Sequence, residues 1–133
     1  MPKFLLMVNH DPGVAEKPMD EWEPEEVRAH MNYYEVLSRE LIENGEQIQF
    51  MGLADPRLAR IVRSDGASAP VVTDGPFPES KEVLAGFQVL DVESEARAIE
   101  IAARVSAVPG PGGVPIQQPV EVRQVVAESG GDV

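Results

Sequence analysis

Five consecutive apolar residues, Phe4-Leu5-Leu6-Met7-Val8, set the tightest limit on how this chain can fold. The run is too short for most helices and does not alternate, so it predicts a strand covered on both faces, in the interior of a sheet. A chain of 133 residues has the size of one domain and can bury roughly two-thirds of its unfolded surface, enough for a core without metals or disulfides. The run is also too short to span a membrane, and Asn9-His10-Asp11 follows it without a small-residue cleavage site. It is therefore read as a strand of a cytoplasmic protein rather than as a signal.

An acidic loop leads from this strand through Met19 and Trp22 to Pro24, which suits the first helical position, with Glu25 and Glu26 complementing the helix dipole. Val27, Met31, Tyr34, Leu37 and Leu41 then line one helical face, and Asn44-Gly45 is a C-terminal cap signature. Gln47 to Leu53 reads as a strand with Ile48, Phe50 and Gly52 on one side and Gln47, Gln49 and Met51 on the other. Leu58 to Arg63 and Pro70 to Thr73 flank Ser64-Asp65-Gly66-Ala67-Ser68 as a hairpin with a polar tip. Gly86 to Val92 alternates as another strand, and Ser94 caps a second helix with Ala96, Ile99, Ala102, Ala103 and Val105 as its apolar stripe. Ala107 to Pro119, rich in Pro and Gly, is expected to be an irregular surface connection and the place of poorest order. Val120 to Val125 is the last strand, which closes a single domain over residues 1–126 and leaves 127–133 as a flexible tail.

Without its hairpin the order is β-α-β-β-α-β, the ferredoxin-like α+β arrangement, with one antiparallel sheet and both helices on one face. The other sheet face would lie bare. Because Phe4 to Val8 is apolar on both sides, a second copy is the economical cover, and a homodimer is predicted. With 23 acids against 11 Lys and Arg, a net charge of −12 repels nucleic acid and anionic lipid, so neither is an expected partner. The absence of cysteine excludes disulfides and thiol catalysis.

The candidate site residues gather around Thr73-Asp74-Gly75-Pro76-Phe77-Pro78-Glu79-Ser80-Lys81-Glu82, a stiff turn between apolar runs. Asp74 reads in two ways: a general base if it faces a cleft, or a carboxylate that caps backbone N–H groups and fixes the turn. Tyr34, on the inward stripe, could offer a hydroxyl, and His10 ends the first strand, where side chains enter a cleft. These three are the candidate catalytic residues, with Phe77, Lys81 and Arg63 as candidate substrate contacts. His30 is read as solvated or structural, and Arg63 and Arg123 as solvated strand charges unless an anion engages them. No ligand-spaced motif supports a metal, and Gly110-Pro111-Gly112-Gly113 lacks the Lys-Ser/Thr step of a phosphate loop, so no cofactor is expected.

Val72-Thr73-Asp74-Gly75-Pro76-Phe77, Glu79-Ser80-Lys81-Glu82, Leu84, Gly86-Phe87 and Asp91-Val92 resemble the DGPF branch of the YCII-related family. Pro24-Glu25-Glu26, the helix with Tyr34 and Leu41, Asn44-Gly45 and Val120-Glu121-Val122-Arg123 extend the resemblance over most of the chain. It implies a dimeric α+β barrel of ferredoxin-like protomers. Most members of the branch have no assigned activity. In the broader family, which includes a dechlorinating enzyme of aromatic degradation, a His on the first helix and an Asp on the second are proposed as a catalytic dyad. Here Tyr34 takes that His position, and no Asp-Pro stands around Val105-Ser106, so the dyad is not carried over. Two readings follow: a small-molecule enzyme or enzyme-like binder with its pocket near the Asp74 turn, or a regulatory module that engages another protein, since some relatives are linked to alternative sigma factors.

Overall fold

The computed structural model describes residues 1–10, 19–54, 58–75 and 83–128; for His10 and Val83 it describes the backbone alone. Phe77 and Lys81 lie outside the described residues, as do most of the acidic loop and residues 129–133. The elements are β1 (Lys3–His10), α1 (Pro24–Glu43), β2 (Gln47–Gly52), β3 (Arg60–Arg63), β4 (Val71–Asp74), β5 (Val83–Asp91), α2 (Glu95–Ser106) and β6 (Val120–Gln124), with short 3-10 turns at Met19–Glu21 and Pro111–Gly113. Four strands form an antiparallel sheet in the order β2-β5-β1-β6, and β3-β4 is a separate two-stranded sheet. This is the ferredoxin-like α+β fold with a hairpin inserted between β2 and β5. No helix among the described residues is long and apolar enough to cross a membrane.

Local signals set the helix ends. Pro24 opens α1, and the Glu26 carboxylate accepts from the Glu23 N–H at 2.9 Å. At the other end Gly45 has φ +80°, and the N–H groups of Glu46 and Gly45 reach back to the carbonyls of Leu41 and Ile42 at 2.8 and 3.1 Å. This Schellman pair needs a left-handed residue at Gly45. Ser94 caps α2 through its Oγ, which accepts from the Arg97 N–H at 3.2 Å.

The core lies between the helices and one sheet face, where Phe4, Leu6, Val8 and Leu90 meet Leu37, Leu41, Ala98, Ile101 and Val105. Cross-strand partners share a face, so Leu5 with Val89 and Met7 with Phe87 form the other face. Those four side chains are only half-buried. The continuous apolar run of β1 thus finds cover on one side within the chain and is left half-open on the other.

Several local expectations change. On α1 the buried stripe contains His30 rather than Met31, which is 57 % exposed. On α2 Ala98, Ile101, Ala102 and Val105 are buried, whereas Ala96, Ile99 and Ala103 face solvent. Alanine is spread all round α2, so composition does not single out one stripe; the positions spaced three and four apart beneath the sheet win. On β2 a register shift between Gln47 and Gln49 breaks the alternation, so Gln47 pairs with Leu90, and Phe50 with Gln88, on the helix side. Gln88, buried in the sheet, donates from Nε2 to Gln47 Oε1 at 2.9 Å. The Pro/Gly-rich connection is folded in place: Val108 is fully buried, its carbonyl accepts from the Ile116 N–H at 2.9 Å, and the Ser106 carbonyl accepts from the Gln117 N–H at 2.9 Å.

Candidate functional site

At one end of the sheet β1 finishes where β5 and β6 begin, His10 pairing with Val83 and Val8 with Val120. β2 finishes there too, with Gly52 opposite Gly86. Strand ends of this kind are where a sheet can offer a cleft. An aromatic chain runs toward it from α1. The Trp22 and His30 rings meet edge-on at 5.3 Å, His30 and Tyr34 edge-on at 5.1 Å, and Tyr34 and Phe50 at 5.7 Å.

Phe50 stands beside Gln88 on β5, and the next helix-facing row outward is Gly52, Gly86 and Val8. No atom lies within 4 Å of where a Cβ on Gly52 would stand, so β2 contributes only backbone next to Phe50. The ring wall therefore borders a floor without side chains on two strands.

His30 is 7 % exposed, and its Nδ1 lies 2.9 Å from the carbonyl oxygen of Pro109. A carbonyl can only accept, so Nδ1 carries the hydrogen and Nε2 keeps its lone pair. Burial lowers the His30 pKa from 6.5, against the weaker upward pull of the Pro109 hydrogen bond. The ring is neutral at pH 7. Tyr34 is half-buried and its hydroxyl makes no hydrogen bond to a described residue. Burial first, and the neighbouring Tyr33 second, push its pKa up to about 12, so it remains a donor at neutral pH. Tyr33 is committed elsewhere, donating to the Arg104 carbonyl at 2.7 Å and tying α1 to α2. Glu26 is also committed, accepting from Glu23 and from the Gly112 N–H.

This burial fixes a pH dependence. Below 6.5 the unfolded chain protonates His30 while the folded chain resists, so the unfolded state binds more protons and stability falls as pH drops. Urea unfolding between pH 5 and 7 is expected to show this loss. A His30→Gln variant should flatten it, and an unchanged slope would count against a neutral buried ring.

The sequence candidates separate. Tyr34 belongs to the aromatic chain. The backbone of His10 stands at the strand end. Asp74 ends β4, its side chain 86 % exposed, with its carboxylate 3.5 Å from Arg60 Nε across the hairpin. No ring contact or hydrogen bond among the described residues joins it to Tyr34. Arg63 lies at the hairpin tip, beside an open depression of about 420 Å³ bordered by Ser64, Asp65, Ser68 and Val71. Among the described residues no three His, Cys, Asp or Glu side chains group as a metal ion requires.

The sequence named Trp22 only as part of the acidic loop, offered His30 as solvated or structural, and gave no role to the Pro109 carbonyl. One signal was available: His30, Tyr34, Leu37 and Leu41 step by four, three and four, a closer helical period than the stripe through Met31.

A profile of the YCII-related domain matches residues 2–116. The chain is also 32 % identical over 85 residues to an uncharacterized protein of Rhizobium meliloti (strain 1021), an alignment covering 64 % of this chain and 68 % of that protein.

Proposed function

The chain belongs to the YCII-related family, and from that premise we propose that it binds a small ring-bearing or carbonyl compound at the strand ends and moves a proton on it. His30 is the proton acceptor and Tyr34 the hydroxyl donor. The observation that carries this reading is the fixed tautomer of His30, a buried neutral imidazole whose Nε2 has no partner among the described residues. A base oriented through its other nitrogen is the arrangement general-base chemistry requires. Tyr34, with its pKa near 12, stays protonated and stabilises negative charge that develops on a substrate oxygen rather than accepting a proton. His10 stands near the mouth, and Asp74 serves the hairpin through Arg60.

The half-open sheet face of Leu5, Met7, Phe87 and Val89 supports a homodimer in which a second copy covers it. Within the family, the Val72-Thr73-Asp74-Gly75-Pro76-Phe77 run supports a place in the DGPF branch. The regulatory reading, contact with an alternative sigma factor through the acidic start of α1, has weaker support because Glu26 is already held by Glu23 and Gly112.

The test is deuterium uptake next to the carbonyl of compounds that raise the melting temperature. Tyr34→Phe is expected to slow uptake about tenfold with stability changed by no more than about 1 kcal/mol, the net worth of a hydroxyl's hydrogen bond. Uptake equal to that of the native chain would remove Tyr34 from the chemistry.

A further inference from the structure

Gln88 is 1 % exposed and stands in the middle of a helix-facing row, between Phe50 on β2 and Leu6 on β1. Its Nε2 donates to Gln47 Oε1 at 2.9 Å, and Gln47 is joined in turn to Ser38 Oγ on α1. Its Oε1 is buried and accepts from nothing among the described residues. A carbonyl in that state forfeits the hydrogen bonds it makes to water in the unfolded chain, which an apolar side chain of the same shape would not. A core gains no stability from a glutamine held by one arm, so the free arm calls for another explanation.

The direction of the open arm follows from the closed one. Gln47 pairs with Leu90, one row further from the strand ends, and Ser38 lies one helical turn beyond Tyr34. The Nε2 arm therefore turns away from the strand ends. The two arms of a planar amide diverge, which leaves Oε1 on the side of Tyr34 and of the glycine row formed by Gly52 and Gly86. Leu6 closes the row on the β1 side and is fully buried, whereas Phe50, on the edge strand, is 38 % exposed. Approach to Oε1 is thus from the Phe50 side, by displacement of the ring that packs on Tyr34 at 5.7 Å.

We propose that Gln88 is a ligand-binding residue of the strand-end site, its Oε1 accepting a hydrogen bond from a hydroxyl or ring N–H next to the ligand's carbonyl. This rests on the proton-transfer reading of the same site and narrows the class of compound it takes. Two unpaired groups of opposite sense, the Tyr34 hydroxyl and the Gln88 carbonyl, stand on either side of Phe50. Together they complement a carbonyl oxygen with a donor beside it: Tyr34 donates to the oxygen, and the neighbouring O–H or N–H meets Gln88. A ring with the carbonyl alone leaves Oε1 as orphaned as it was before binding, so the site selects for the donor.

The probes are α-hydroxycyclohexanone and α-fluorocyclohexanone, since fluorine roughly keeps the size of the hydroxyl and removes its proton. NMR titration of the native chain is expected to show about tenfold tighter binding of the hydroxy compound. The carbon resonance of the Gln88 side-chain amide should move with the hydroxy compound and stay in place with the fluoro one. Gln88→Met should equalise the two affinities while the melting temperature holds or rises, because Ser38 Oγ, at 3.4 Å, remains to donate to Gln47 Oε1. Equal affinities in the native chain would overturn the proposal and leave Oε1 with a trapped water only; a preference that survives Gln88→Met would overturn it too. The native titration and the amide resonance decide the matter even if the variant does not fold. Binding is read without turnover, which separates the two ideas. A preference without deuterium exchange removes the proton transfer and leaves Gln88 in place, exchange without a preference removes Gln88 alone, and binding of neither compound removes both.

Discussion

His30→Gln is expected to slow proton transfer at the strand-end site by about 10² to 10⁴-fold, the usual contribution of a positioned general base. Glutamine keeps a donor for the Pro109 carbonyl, which His30 approaches at 2.9 Å, so that carbonyl need not be left unsatisfied. It supplies no basic lone pair. Urea unfolding at pH 7 is therefore expected to change by no more than about 1 kcal/mol, while deuterium uptake into a bound carbonyl compound collapses. Loss of stability and turnover together would mark His30 as a packing residue. Undiminished uptake would end its assignment as the base.

The second large effect lies on the floor of the site. A Cβ on Gly86 would stand 2.8 Å from the carbonyl oxygen of Met51, closer than side-chain carbons come to such atoms. That oxygen belongs to the backbone of β2 and cannot rotate away, so Gly86→Ala must push β2 off β5. A cost of about 3 kcal/mol is expected, at the upper end for overpacking, with a drop in melting temperature of about 10 °C. Gly52→Ala is the control, since nothing lies within 4 Å of its added methyl and its φ is ordinary. It should move stability by less than about 1 kcal/mol. Equal effects from the two would show that the β2-β5 approach does not set the cost.

The architecture was legible because each element carries its own chemical mark. Pro24, the Asn44-Gly45 stop, Ser94 and the apolar run of β1 act over a few residues and need no knowledge of the rest of the fold. The hairpin was equally plain, since Asp65 accepts from the N–H groups of Ala67 and Ser68 at 2.9 and 2.8 Å within its own loop. The site was harder to see. His30 reads from the sequence as solvated or structural, one residue before the apolar Met31, and the choice between the two turns on whether one nitrogen finds a partner; that partner, the Pro109 carbonyl, is 79 residues away. Likewise the register shift at β2 leaves no local mark, yet it decides that Gln47 rather than Ile48 faces the helices. Asp74 drew attention through the stiffness of its turn, but stiffness alone does not tell a cleft from a solvated pair with Arg60.

The segment before β6 is fastened to α1 at two points, through Pro109 to His30 and through Gly112 to Glu26. The same imidazole therefore senses the seating of the last strand. Its nitrogen resonances act as an internal gauge: a disturbance at Ile116, which packs over Gly110, registers at the ring before the molecule as a whole gives way. One spectroscopic signal thus reads both the protonation of the site and the docking of a strand formed near the far end of the chain.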